Sequence, residues 1–192
     1  ILARRAATPE VRDRIFEIVH RYEEALRLVG EEVREGNPSP GNKTGGITTL
    51  EEKSLGCIHK GGHSPVNAVY DYAKQVAPKS GLVIMDTPGN DPSSVAAMVA
   101  GGAQVVVFST GRGTPTGNPI APVIKITGNR ITFANMEDNI DVDASPIIYG
   151  GDLTQMGDEL LQLVADVASG KQTKAESLGY MEMAIARVCN YV

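Results

Sequence analysis

Apolar residues recur at steps of three and four along the first part of the chain. Val11, Ile15, Ile18, Val19, Tyr22, Leu26, Val29 and Val33 fall on one stripe, the period of a helix that buries one face. Thr8-Pro9-Glu10 supplies a start: a hydroxyl that can cap, a proline whose φ already suits a helix, and an acid near the positive end of the dipole. Gly36 supplies a stop. The spacing predicts one long helix within residues 1–36. Its stripe reads first as a packing face, with docking on absent upstream protein as the second reading.

Further along, Thr49 and Glu52 are spaced as a capping box, so a short helix is expected to begin there. Val66, Val69, Tyr70, Ala73 and Val76 keep helical spacing and predict another helix from Pro65 to Ala77. The period then changes. "GLVIMD" and "AQVVVFST" are short apolar runs bounded by turn residues, the pattern of strands buried on both faces. Between them "PSSVAAMVAGG" predicts a helix from Pro92 to Ala100. "VIKIT" reads as a third strand, and "DNIDVDA" alternates like a fourth at a sheet edge. Helices from Met156 to Ala168 and from Lys174 to Arg187 close the chain.

Strand, helix, strand with short links is the signature of a parallel βαβ unit. The expected fold is therefore α/β, a Rossmann-like three-layer sandwich with a mostly parallel sheet, in one domain covering residues 1–192. The length of 192 residues suits that domain count and allows a sizeable core. The first residue is Ile1, which suggests a piece of a longer polypeptide.

Composition narrows the classes. A net charge of -5 without a Lys/Arg run or any tryptophan argues against nucleic acid as a partner. No apolar run approaches the roughly 20 residues that span a bilayer, so no membrane segment is expected. Cys57 and Cys189 stand far apart without metal-ligand spacing, which favours a reduced, cytoplasmic setting over a disulfide framework.

Three loops carry the candidate chemistry. In an open parallel sheet, ligands bind beyond the carboxyl ends of the strands. "GLVIMD" runs into "TPGNDPSS", and "QVVVFST" runs into "GRGTPTGNP" with Arg112. A third loop, "NPSPGNKTGG", carries Lys43. Glycines admit close backbone approach, and prolines remove freedom that ordering would cost. Arginine grips a carboxylate with two bonds and lysine supplies a compact charge, so together they suit an anionic, hydroxylated ligand. The N-terminus of the helix opened by Pro92 favours an anion as well. Asp86 and Asp91 are equally readable as caps of that helix, and Glu52 as part of its capping box. Lys43 is equally readable as a solvated cation. His59 and His63 are four apart but lack a third ligand nearby, and His20 is expected on the surface. "GRGTPTG" does not match the phosphate-binding glycine motif.

The motifs "NPSPGNKTGGITTLEEKSLGCIHKGG", "TPGND" and "VVVFSTGRGTPTGNPIAPVIKIT" resemble the C-terminal region of the altronate and galactarate dehydratase family. The large subunit of sulfolactate sulfo-lyase belongs to the same group. The likeness runs from about Glu35 to Ala168 and looks closest to the altronate dehydratase branch. It implies a cytoplasmic hydro-lyase that converts a sugar acid into a 2-keto-3-deoxy acid with a divalent metal, Fe2+, Mn2+ or Mg2+. By matching motif, Asn42, Lys43, Glu51, Glu52 and Lys53 lie in the first segment, Asn90 and Asp91 in the second, and Thr110, Arg112 and Thr114 in the third. Lys43 and Arg112 are the expected grips on the substrate carboxylate, and Glu52 the candidate acid/base. Asn42, Lys53, Asn90, Asp91, Thr110 and Thr114 are the further substrate-binding candidates. Metal ligands are not fixed by the resemblance; Glu51, Glu52 and His63 are the weak candidates. The resemblance also implies partners in the same chain, an N-terminal domain and a middle region, without which a fragment could be inactive. A homo-oligomer is left open. The region "GNRITFANMEDNIDVDASPIIYGG" is more compact than the family pattern, and "HS" after Gly61-Gly62 departs from it. Two alternatives remain at this point: a sulfo-lyase acting on sulfolactate, and a noncatalytic α/β domain that binds a ligand or partner.

Overall fold

The computed structural model of the chain describes residues 1–31, 37–77 and 81–185. They form two compact units, one built from residues 1–72 and 76–86, the other from residues 73–75 and 87 onward.

In the first unit a 3-10 turn, Leu2–Arg5, leads into helix α1, Pro9–Leu28. Thr8 caps α1 through its hydroxyl, which accepts the Val11 N–H, as the sequence predicts. The helix ends at Leu28, short of the expected Gly36; residues 32–36 lie outside the described residues. Of the predicted stripe, Ile15 and Leu26 are buried whereas Val19 and Tyr22 are about half exposed, at 48% and 50%. His20 is on the surface as expected. Two further helices follow, α2, Pro40–Thr44, and α3, Leu50–Lys60.

Strand β1, Val66–Tyr70, replaces the helix predicted from Pro65 to Ala77. Its Val, Ala and Tyr positions fit a helical face and a buried strand equally well over so short a run. Pairing decides between them: β1 lies parallel to β2, Leu82–Met85, with Val69 opposite Ile84 and Tyr70 opposite Met85. Ala6 extends this ladder by a bridge to Val66. The Arg5 guanidinium fixes the turn between α3 and β1. It donates to the carbonyls of Gly61 at 2.7 Å and Ser64 at 2.8 Å, a cation placed at the negative end of α3.

The second unit carries helix α4, Asp91–Ala100, and strands β3, Val106–Ser109, and β4, Val123–Thr127. A six-residue helix α5, Arg130–Asn135, which the sequence reading missed, then crosses to β5, Val142–Asp143. The order is β3-β4-β5 with both pairings parallel, so β5 is at the edge where the alternating pattern put it. β4-α5-β5 is the βαβ unit. The unit expected from "GLVIMD" through "AQVVVFST" is not formed, because β2 pairs with β1 and β3 with β4. Val95, Val106 and Val123 make the core, with Met98, Val99 and Phe108 packed against it. Each such buried side chain contributes roughly 1.5–3 kcal/mol of transfer free energy.

Helix α6, Leu153–Ala168, is capped by Asp152. The helix expected from Lys174 to Arg187 shrinks to one turn, α7, Lys174–Ser177, with a Thr173–Glu176 capping box; Arg187 lies outside the described residues. Parallel strands with flanking helices make the fold α/β, as expected, with the strands divided between two sheets.

Candidate active site

The segment from Asn37 to Gly46 is not the plain loop its glycines and prolines suggest. Pro40 opens the short helix α2, and the N–H groups of Asn42 and Lys43 both donate to Ser39 O. Lys53, on α3, ties this segment down: its Nζ donates to Asn37 Oδ1 at 2.8 Å and to Asn42 Oδ1 at 3.0 Å. Ser39 Oγ adds a second donor to Asn42 Oδ1 at 3.1 Å. Asn42 and Lys53, both predicted to bind substrate, are thus joined to each other. Lys43 lies on the next position of α2, exposed, and its ammonium has no partner among the described residues. The segment is organised by one lysine, Lys53, while Lys43 has no partner among the described residues.

Glu52 sits in the first turn of α3. Its backbone N–H donates to Thr49 Oγ1 at 3.2 Å, while its carboxylate accepts from Thr48 Oγ1 at 2.6 Å and Thr48 N at 2.8 Å. These donors, the Thr48 hydroxyl foremost, hold the Glu52 carboxyl below its ordinary pKa. Near neutral pH it is therefore an anion, poorly suited to give a proton and a weaker base than a free glutamate. The weak metal candidates do not form a set. Glu51 and Glu52 begin α3 and His63 follows its end, and an eleven-residue helix is about 16 Å long. Among the described residues no three His, Cys, Asp or Glu side chains are grouped to hold a metal ion. The described residues alone do not fit the expected divalent metal.

In the second motif Asn90 is the cap of α4, its Oδ1 accepting from Ser93 N at 3.3 Å and Ser93 Oγ at 3.1 Å. Neither Asp86 nor Asp91 takes that role. Asp91 is the first residue of the helix. Asp86 pairs with Arg21 at 2.7 Å; Arg21 also reaches Asp71 at 3.2 Å, and Arg14 pairs with Asp71 as well. With Asn90 and Asp91 already at its N-terminus, α4 is less open to an anion than the sequence suggests.

The third motif is a turn clamped from several sides. Thr110 continues the β3 ladder through its N–H to Ile126 O, 2.9 Å. Its hydroxyl accepts Gly113 N at 3.0 Å, and Thr132 Oγ1 donates to Gly111 O at 2.8 Å. Gly113 has φ +86, a left-handed conformation that favours glycine. Arg112 stands exposed between these two fixed glycines, and its guanidinium has no partner among the described residues. Thr114 and Thr116 are buried, their hydroxyls 2.8 Å apart, so the Thr114 hydroxyl is engaged inside the protein.

Beneath this turn lies a group that sequence reasoning missed. Lys125, the third residue of β4, is fully buried, and its Nζ donates to Pro115 O at 3.1 Å and Thr116 O at 3.3 Å. The Tyr180 ring centroid is 5.9 Å from the same nitrogen. Burial lowers the Lys125 pKa, with Asp141 and Glu182 partly opposing it. A single lysine inside the apolar run "VIKIT" was the available signal.

Residues 1–190 match the family described as D-galactarate/altronate dehydratase, C-terminal. The chain is 44% identical over 149 residues to an altronate dehydratase of Escherichia coli, covering 78% of this chain and 30% of that one. It is 38% identical over 187 residues to an altronate dehydratase of Bacillus subtilis, covering 96% and 37%. It is 37% identical over 191 residues to a (2R)-sulfolactate sulfo-lyase subunit beta of Chromohalobacter salexigens, covering 98% and 49%. The chain thus spans about a third to a half of the length of these relatives. Lys43, Arg112 and the turns that carry them fall inside the matched region, and the chain belongs to the D-galactarate/altronate dehydratase C-terminal family.

Proposed function

We propose that this chain is the C-terminal part of a hydro-lyase that dehydrates a sugar acid such as altronate or galactarate to a 2-keto-3-deoxy acid. The observation that carries the reading is the pairing of family membership with two cations, Lys43 and Arg112, that have no partner among the described residues, each exposed on a turn that its neighbours hold by hydrogen bonds. A rigid turn bearing a free cation has already met the ordering cost of gripping an anion. In this reading Lys43 and Arg112 are each candidates to bind the substrate's carboxylate end, and Asn90, Asp91 and Thr110 are candidates to bind its hydroxyls. The chemistry removes the proton on the carbon next to the carboxylate and the hydroxyl on the following carbon. The resulting enol tautomerises to the 2-keto acid, and one water leaves. The two cations favour the step because removing that proton places further negative charge on the carboxylate oxygens. Glu52 is the candidate base, and Thr48, whose hydrogen bonds lower its pKa, would have to release it for it to take the proton. The divalent metal implied by the family would need ligands from outside the described residues. No described helix is long and apolar enough to cross a membrane. In this reading the enzyme is cytoplasmic and the remainder of the parent polypeptide is its partner.

A second reading comes from the 37% identity to a sulfo-lyase subunit over 98% of this chain. The same cations would suit a substrate carrying a carboxylate and a sulfonate. One assay separates the two: the full-length parent protein is incubated with altronate, galactarate and sulfolactate under varied divalent metals. A 2-keto acid from either sugar acid supports the dehydratase reading. Sulfite from sulfolactate, with no 2-keto acid from the sugar acids, replaces it with the second.

A further inference from the structure

We propose that Lys125 is a positioning residue for Arg112: by bonding the carbonyls of Pro115 and Thr116, its buried ammonium fixes the turn from Thr110 to Asn118 that presents the guanidinium. The inference rests on the reading of Arg112 as a grip on the substrate anion.

The placement of Lys125 is costly and calls for a reason. Lysine is almost never fully buried unless paired, because its ion loses much of its solvation in an interior. Lys125 is 0% exposed, yet no carboxylate among the described residues meets its ammonium. Asp141 instead accepts its backbone N–H at 2.7 Å. A methionine or leucine at this position would fill β4 without the solvation cost. What neither would provide is a donor for Pro115 O and Thr116 O, in a turn whose neighbours Thr114, Thr116 and Asn118 are buried. The Thr116 carbonyl is buried and the Pro115 carbonyl part-buried; a buried carbonyl needs a partner, and β4 offers one through a side chain beyond the end of β3 at Ser109. Tyr180 closes the other side. Its ring faces the ammonium, and its carbonyl lies so near Gly117 that a Cβ there would be 2.2 Å from it.

The turn therefore has three supports: Thr110 on Gly113, Thr132 on Gly111, and Lys125 on residues 115 and 116. Arg112 is the charged side chain among residues 110–118, and it is left without a partner among the described residues. Supporting the turn around a cation that has no partner among the described residues is the arrangement that preorganisation requires, and a misplacement of about 1 Å can cost on the order of 100-fold in rate.

The test uses the full-length parent with Lys125→Met, Lys125→Arg, Arg112→Ala and the Lys125→Met/Arg112→Ala double variant. Substrate KM and kcat, thermal midpoint, and amide hydrogen exchange at Gly113 and Thr116 are measured together. Lys125→Met is expected to raise KM about 10- to 100-fold, to speed exchange at both amides, and to add little once Arg112 is gone. Lys125→Arg, which keeps a donor and its charge, is expected to recover part of the KM. Should Lys125→Met not fold, Lys125→Arg against wild type carries the same readings, with an intermediate KM and faster exchange expected. A lowered midpoint with KM and exchange unchanged would overturn the proposal, as would full multiplicative losses in the double variant. Faster exchange with KM unchanged in Arg112→Ala would overturn the reading of Arg112 instead, and with it the purpose assigned to Lys125.

Discussion

Asp141 accepts the backbone N–H of Lys125 at 2.7 Å with one carboxylate oxygen and keeps the other for the N–H of Lys174 at 2.8 Å. One side chain thus joins β4 to the first residue of α7. Lys174 returns the favour with its own Nζ, which donates to Ile140 O at 2.8 Å. The short helix α7, too short to persist alone, is held in place by this exchange.

Asp141→Ala leaves two backbone donors without their acceptor and is expected to cost about 2–4 kcal/mol of stability. Asp141→Asn keeps one oxygen and should lose clearly less. Urea unfolding of the three proteins measures the order; equal losses for Ala and Asn would contradict it.

Two glycines should respond to alanine with opposite signs. At Gly117 the new Cβ would lie 2.2 Å from the Tyr180 carbonyl oxygen, a backbone atom, whereas at Gly56 within α3 nothing is within 4 Å. Gly117→Ala should therefore destabilise by about 1–3 kcal/mol. Gly56→Ala should stabilise by about 0.5–1 kcal/mol, because alanine gives up less backbone entropy in a helix. Thermal denaturation of both variants is the check.

Lys125 should leave a mark on alkaline stability. Burial makes it less basic in the folded chain than the ordinary value of 10.5. Between its folded pKa and 10.5 the unfolded chain binds more protons, so this group's contribution to stability rises with pH there. Below the folded pKa both states are charged and the full burial cost persists. Stability measured against pH should thus shift in favour of wild type over Lys125→Met as pH climbs toward 10.5; a constant difference would contradict the argument.

Glu52 titrates in the other direction. Its folded pKa is lowered from 4.5, chiefly by the Thr48 hydroxyl, so its contribution is present above 4.5 and is lost as pH falls through the folded value. Thr48→Val should move that acid-side loss to higher pH, read by carboxyl chemical shifts, without reversing its sign.

Much of this fold is legible in the sequence where local chemistry and period agree. Thr8 and Thr49 announce α1 and α3, and "LVIM", "VVFS" and "VIKIT" are strands as their apolar runs imply. The failures have physical causes. "VNAVY" suits either period until β2 pairs with it, and the helix inside "NPSPGNKTGG" is one turn long, too short for any periodicity. In "NRITFAN" the signal was the Asn129 cap, whose Oδ1 takes Ile131 N and Thr132 N, hidden by polar and aromatic neighbours. At the candidate site, Lys43 and Arg112 stood out as lone cations in stiff loops. Arg5 and Lys125 did not, because their partners are backbone carbonyls, which every residue carries and no sequence marks.

The proposed function depends on Lys43 and Arg112 each contributing to the binding of an anionic substrate. Its most direct test is kcat/KM for altronate and galactarate in the full-length parent carrying Lys43→Ala or Arg112→Ala. Each is expected to lose about 2–4 kcal/mol of transition-state stabilisation, the scale of a lost charge-assisted contact. Near-wild-type kcat/KM in both variants would contradict the account.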